Sequence, residues 1–173
     1  DNSKKDLAIA IIKKKPEIIK NSEDLSNFIN ELGFEGDIYK RYLAIAIIEK
    51  KPEIIKDFTS STLSAFIKDL GFTDDHNKGY LAIAIIEKKP EIIKDLTRST
   101  LSAFIKDLDF TDDSSKKDLA IAIIEKKPEI INDLTSSTLL DFIVTELGFT
   151  DDHKKGSLAI AIIEKKPEII KDL

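Results

Sequence analysis

The apolar positions of this chain follow two patterns that alternate. One is a solid run, Leu81-Ala-Ile-Ala-Ile-Ile86, followed at once by Glu87-Lys-Lys-Pro90. The other is a spaced set, Leu63, Phe66, Ile67 and Leu70, which lies on one face of an amphipathic helix. The solid run has no polar side, and a helix apolar all round is enclosed by neighbours on several sides. Isoleucine is β-branched, so a buried strand competes for the run; alanine at two of its six positions and the Glu-Lys-Lys tail favour helix.

Proline punctuates the two patterns. The residue before a proline is pushed out of the α region, so the first helix stops at Pro90. Proline and a following glutamate suit a helix start, and Pro90 to Leu96 reads as a short second helix carrying Ile92, Ile93 and Leu96 inward. Thr97-Arg-Ser-Thr100, like Thr59-Ser-Ser-Thr62, then caps a third, amphipathic helix. Gly71 is placed to end that helix in the left-handed region, with Phe72 folding back on its last turn. Gly33 and Gly148 stand at the same point; Asp109 replaces the glycine once, and aspartate tolerates that region better than most residues. Ahead of the solid run, Thr73-Asp-Asp75 reads as a helix start capped by the threonine. His76 to Gly79 reads as a first helical turn or a loop.

The phrase from Leu81 to Ile93 recurs, nearly letter for letter, from Leu7, Leu43, Leu119 and Leu158. A near-constant spacing of 20–50 residues marks a stacked array. The expected fold is an all-α helical-repeat solenoid whose units each hold a buried helix, a short Pro-initiated helix and an amphipathic helix. The units run approximately 1–34, 35–72, 73–110, 111–149 and a partial 150–173, forming one array that reads as a fragment of a longer protein. The first unit is short by two residues between Ile19 and Leu25. The fourth has one extra between Phe142 and Leu147, which is expected to bulge or shift the end of its third helix. The uncapped end at Leu173 is expected to fray or associate.

Composition narrows the chemistry. With 42% apolar and 34% charged residues the chain is too apolar for disorder. It has no cysteine, which excludes disulfides, zinc–thiolate sites and thiol catalysis. Two histidines, no glycine-rich phosphate loop and no serine with a plausible histidine base argue against an enzyme, and no cofactor is expected. The apolar runs are far too short to span a membrane, and no secretory leader is present. A net charge of −5 disfavours a surface built for polyphosphate backbones. High Ile, Lys, Asp and Asn usage suggests an A/T-rich genome, such as that of a host-associated microbe, with a cytoplasmic, secreted or surface location.

Three features could carry function. The lysine pairs before the prolines, Lys14-Lys15, Lys50-Lys51, Lys88-Lys89, Lys126-Lys127 and Lys165-Lys166, would align as a basic stripe for phosphates or acidic partners. Equally, cations favour a helix C-terminus without any partner. Asp74-Asp75-His76 and Asp151-Asp152-His153 resemble metal ligands, although a helix N-terminus accounts for the aspartates and no metal is expected. Most informative is the segment just ahead of the phrase, which varies while the phrase does not. His76, Asn77, Tyr80 and His153 fall in it, and it is either a recognition surface or a drifting exposed segment.

Helix, proline-started short helix, longer helix and Leu-Gly-Phe succeed one another through Pro52, Ile54, Ile55, Leu63, Ile67, Leu70, Gly71 and Phe72. That order resembles the mitochondrial transcription termination factor (mTERF) repeat, across the whole chain. The resemblance implies nucleic-acid binding along a concave basic face. A looser similarity to ankyrin repeats lies around Gly79-Tyr-Leu81 and Glu91-Ile-Ile93. Three functions are compatible with these features: a non-enzymatic scaffold docking another protein, a nucleic-acid-binding array using the lysine stripe, and a structural spacer.

Overall fold

The solid apolar runs fold as helices, not strands. The computed structural model describes residues 1–171, and those residues are all-helical, with no strand among them. Long helices α1 (Asn2–Lys14), α3 (Asp37–Lys50), α5 (Asp75–Lys88), α7 (Asp113–Lys126) and α9 (Asp152–Lys165) carry the runs. Between them lie α2 (Ser22–Glu31), α4 (Ser60–Asp69), α6 (Arg98–Asp107) and α8 (Ser136–Asp141). Each long helix packs against the next long helix in chain order, and α2, α4 and α6 pack against one another in turn. In α5 this buries Leu81, Ala82, Ile85 and Ile86, while Ile83 is only half-buried. No helix among the described residues is long and apolar enough to cross a membrane. Leu173 lies outside the described residues.

Proline ends each long helix as expected, but the helical segment it opens is shorter than the sequence implies. Pro52–Ile55, Pro90–Ile93 and Pro128–Ile131 are single 3-10 turns, not helices reaching Leu96 and its equivalents. Three-residue hydrogen bonds take over there: the Lys94 N–H donates to the Glu91 carbonyl at 3.2 Å and the Leu96 N–H to Ile93 at 3.1 Å. This tighter winding turns the adjacent Ile92 and Ile93 both into the core.

The helix starts also shift by one residue. Asp74, not Thr73, is the cap of α5, its carboxylate accepting from the His76 N–H at 3.0 Å. Thr73 is used elsewhere: its N–H and hydroxyl donate to Asp37 Oδ2, on α3, at 2.6 and 3.0 Å, and the Asp74 N–H joins them at 2.8 Å. Asp75 receives the same three donors from Thr111 and Asp112, and Asp113 from Thr150 and Asp151. Burial by itself would raise the carboxyls of Asp75 and Asp113. The converging N–H and hydroxyl donors, with Lys78 and Lys116 alongside, outweigh it and hold both at about 2. The first residue of one long helix therefore fixes the start of the next.

Three of the third helices begin on threonine capping boxes, Thr59 with Thr62, Thr97 with Thr100 and Thr135 with Thr138, whereas α2 begins on Asn21, whose side chain accepts from the Asp24 N–H at 2.8 Å. They end in the left-handed region at Gly33, Gly71 and Gly148, and Asp109 adopts the same conformation with φ 51°. The extra residue of the fourth copy is absorbed as a π-helical turn, Phe142–Glu146, in which the Leu147 N–H reaches the Phe142 carbonyl at 2.9 Å. Arg98 of α6 ties this turn down, donating to Glu146 at 3.0 Å and to Asp133 at 3.1 Å.

Candidate functional site

The lysine pairs divide into two roles. In every pair after the first, the second lysine turns back onto main-chain carbonyls at the preceding 3-10 turn, as Lys166 does onto Ile131 and Leu134 at 3.3 and 2.8 Å. Lys51 donates to Pro16 and Ile19, Lys89 to Ile55 (3.0 Å) and Lys56, and Lys127 to Lys94. Carbonyls at the end of a helical turn lack partners within it, and an ammonium with three donors satisfies several at once. Lys50, Lys88, Lys126 and Lys165 stay exposed, and in the first pair both Lys14 and Lys15 do. Lys88 pairs with Glu49 at 3.2 Å, so the stripe is half consumed by the fold and partly neutralised at its surface.

The variable segment forms the first two turns of each long helix, and its last two residues sit on a common edge. Two residues before the phrase leucines stand Lys5, Arg41, Gly79, Lys117 and Gly156; one residue before them stand Asp6, Tyr42, Tyr80, Asp118 and Ser157. In α1 and α7 the cation pairs with its neighbouring aspartate, Lys5 with Asp6 at 3.8 Å and Lys117 with Asp118 at 3.0 Å. In α3 that aspartate is Tyr42. Arg41 accordingly has no carboxylate in ion-pair reach among the described residues. Its guanidinium lies over the Tyr42 ring at 4.6 Å and over the Tyr80 ring of α5 at 5.1 Å. Arg41 is only 9% exposed, whereas Tyr42 and Tyr80 are 45% and 50% exposed. His76 packs edge-on against Tyr80 with ring centroids 4.3 Å apart.

Beside this cluster runs an open groove of about 440 Å³, walled by Arg41, Ile38 and Asp37 of α3 and by Asp74, His76 and Asn77 at the start of α5. Two of its carboxylates are already spoken for: Asp37 takes the Thr73 and Asp74 donors, and Asp74 takes the His76 N–H and the Asn77 amide. Glu35, also in the wall, is exposed and makes no bond to Arg41.

Of the residues that stand out in the sequence, His76 and Tyr80 come together here. Asn77 is buried, with its amide nitrogen on Asp74 and its oxygen without a donor, so it supports the helix start and does not reach the surface. His153 is exposed on α9, away from the cluster. Arg41 and Tyr42 do not stand out within their own copy; comparing the copies column by column, where Tyr42 replaces the aspartates at positions 6 and 118, is the signal that finds them.

A larger groove of about 970 Å³ lies between α6 and the π-helical turn. Its arginine, Arg98, is already matched by Glu146 and Asp133, which leaves it no unmet charge to offer a ligand. Comparisons with protein-family models, curated proteins and solved structures find no match to this chain.

Proposed function

We propose that this chain is a non-enzymatic scaffold, a helical solenoid built on the recurrence in its sequence, that docks another protein along the edge formed by the first turns of its long helices. The observation that carries this is the Tyr42–Arg41–Tyr80 cluster. Two half-exposed tyrosines flank a desolvated arginine, and tyrosine and arginine are the residues that dominate binding energy at protein interfaces. The order of packing supports the solenoid: each long helix meets the next, and the Asp-to-threonine and Lys-to-carbonyl bonds recur at successive joints. The mTERF-like alternative needs a continuous basic face. In the pairs at 50–51, 88–89 and 126–127 the second lysine is instead turned onto main-chain carbonyls, which favours a protein partner over a phosphate backbone.

Selection of a displayed random-peptide library on the immobilised chain, beside a titration with duplex and single-stranded nucleic acid at two salt concentrations, tests this. Peptides that bind the native chain and are lost on a Tyr42→Ala/Tyr80→Ala variant are expected, with no nucleic-acid binding at low salt. Nucleic-acid binding that falls steeply with salt and disappears in Lys50→Gln/Lys88→Gln/Lys126→Gln would overturn the proposal.

A further inference from the structure

We infer that the groove beside Arg41 receives a single aspartate or glutamate side chain of the partner protein, an inference that rests on the docking edge proposed above. The chain itself shows what a cation at this position takes. Lys5 and Lys117, at the same place in α1 and α7, each hold the carboxylate of the next residue, Asp6 and Asp118. In α3 the tyrosine at position 42 removes that carboxylate without removing the cation. Arg41 is nine-tenths buried as a residue and has no acceptor among the described residues; the two ring faces offset its charge but engage none of its five N–H donors. None of its nitrogens is sealed from solvent, since the one sealed and unpartnered side-chain atom among the described residues is Asn77 Oδ1. Those donors lie in the guanidinium plane and match the two oxygens of a carboxylate.

Charge selects the carboxylate over a phosphate. Asp37, Asp74 and Glu35 line the same groove, and Arg41 is the single cation in its wall. Either anion meets the same three acids with one guanidinium to offset it, and a singly charged carboxylate is repelled by them less than a phosphate carrying close to two charges. Ile38, 42% exposed at the wall, supplies apolar surface for the methylene stem of the incoming side chain.

The test uses the intact chain and synthetic peptides taken from the library selection, each made with its acidic residues and with every Asp or Glu replaced by the amide, and read by fluorescence anisotropy. For at least one acidic position the amide swap is expected to weaken binding about ten-fold or more on the native chain. The same swap should be nearly neutral on Arg41→Gln. Tyr42→Asp, which restores the internal pair seen in α1 and α7, should bind more weakly than Tyr42→Asn, which removes the ring without adding a charge. Should Arg41→Gln fail to fold, the peptide-side swap and the Tyr42 pair still decide. Peptides that need Tyr42 and Tyr80 yet ignore amide replacement would overturn the carboxylate while leaving the docking edge in place. Tighter binding of phosphoserine than of glutamate at the sensitive position would also overturn it. Failure to select any peptide dependent on Tyr42 and Tyr80 would remove the docking edge itself.

Discussion

Asparagine at position 75 removes one charge from a joint where four donors converge. The Asp75 carboxylate accepts from the Thr111 N–H and hydroxyl, the Asp112 N–H and Lys78, and its side chain is 5% exposed, so solvent screens these bonds little. Its carboxyl falls from 3.8 to about 2, which is worth about 2 kcal/mol to the folded state. Because the folded value is the lower one, that stability is fully present above the unfolded value of 3.8. It is lost as pH falls toward 2, where the carboxyl protonates in the folded state too. Asp75→Asn is therefore expected to cost about 2 kcal/mol at about pH 6 and close to nothing near pH 2. The amides of Thr111 and Asp112 report the joint directly by hydrogen exchange: at about pH 6 their protection should drop about 30-fold in the variant. A change below about three-fold at that pH, or an equal change at both pH values, would refute the assignment of this stability to the charged carboxylate.

Two further substitutions test the rest of the framework. Lys89→Met keeps the aliphatic stem but removes the ammonium on the Ile55 and Lys56 carbonyls, and should cost about 1–2 kcal/mol in urea denaturation. Lys88→Met, one residue away and half-exposed on Glu49, should cost under about 0.5 kcal/mol; equal costs would mean the two lysines do not differ in role. Asp109→Gly relieves a left-handed residue at φ 51° and is expected to stabilise the chain by about 0.5–1 kcal/mol, seen as a higher denaturation midpoint.

Much of the helical layout can be read from local pattern because local chemistry fixes it. Proline stops the long helices whatever surrounds them, the left-handed stops fall on Gly33, Gly71, Gly148 and Asp109, and the extra residue before Leu147 could only be taken up inside its helix. Local pattern puts the cap of α5 on Thr73, one residue early, because the competitor for that threonine, Asp37, lies 36 residues away. The same distance hides the split in the lysine pairs. Lys88 and Lys89 are adjacent and chemically identical, and only the carbonyls of a turn more than 30 residues earlier separate them. At the candidate site Tyr80 and His76 stand out by type, whereas Arg41 matters for what it lacks, and an absent partner leaves no mark on a single segment.

The joints between successive long helices have one more property. Lys89 reads carbonyl oxygens, and Asp75 reads two amide N–H groups and one threonine hydroxyl. Apart from that hydroxyl, each latch grips the neighbour's main chain, which every amino acid shares. A substitution on the neighbour that keeps its backbone therefore leaves these latch bonds intact. The main-chain latches are thereby indifferent to side-chain identity on the neighbour, whereas the edge contacts, such as Arg41 on Tyr80, are the places where one copy depends on the side chains of the next.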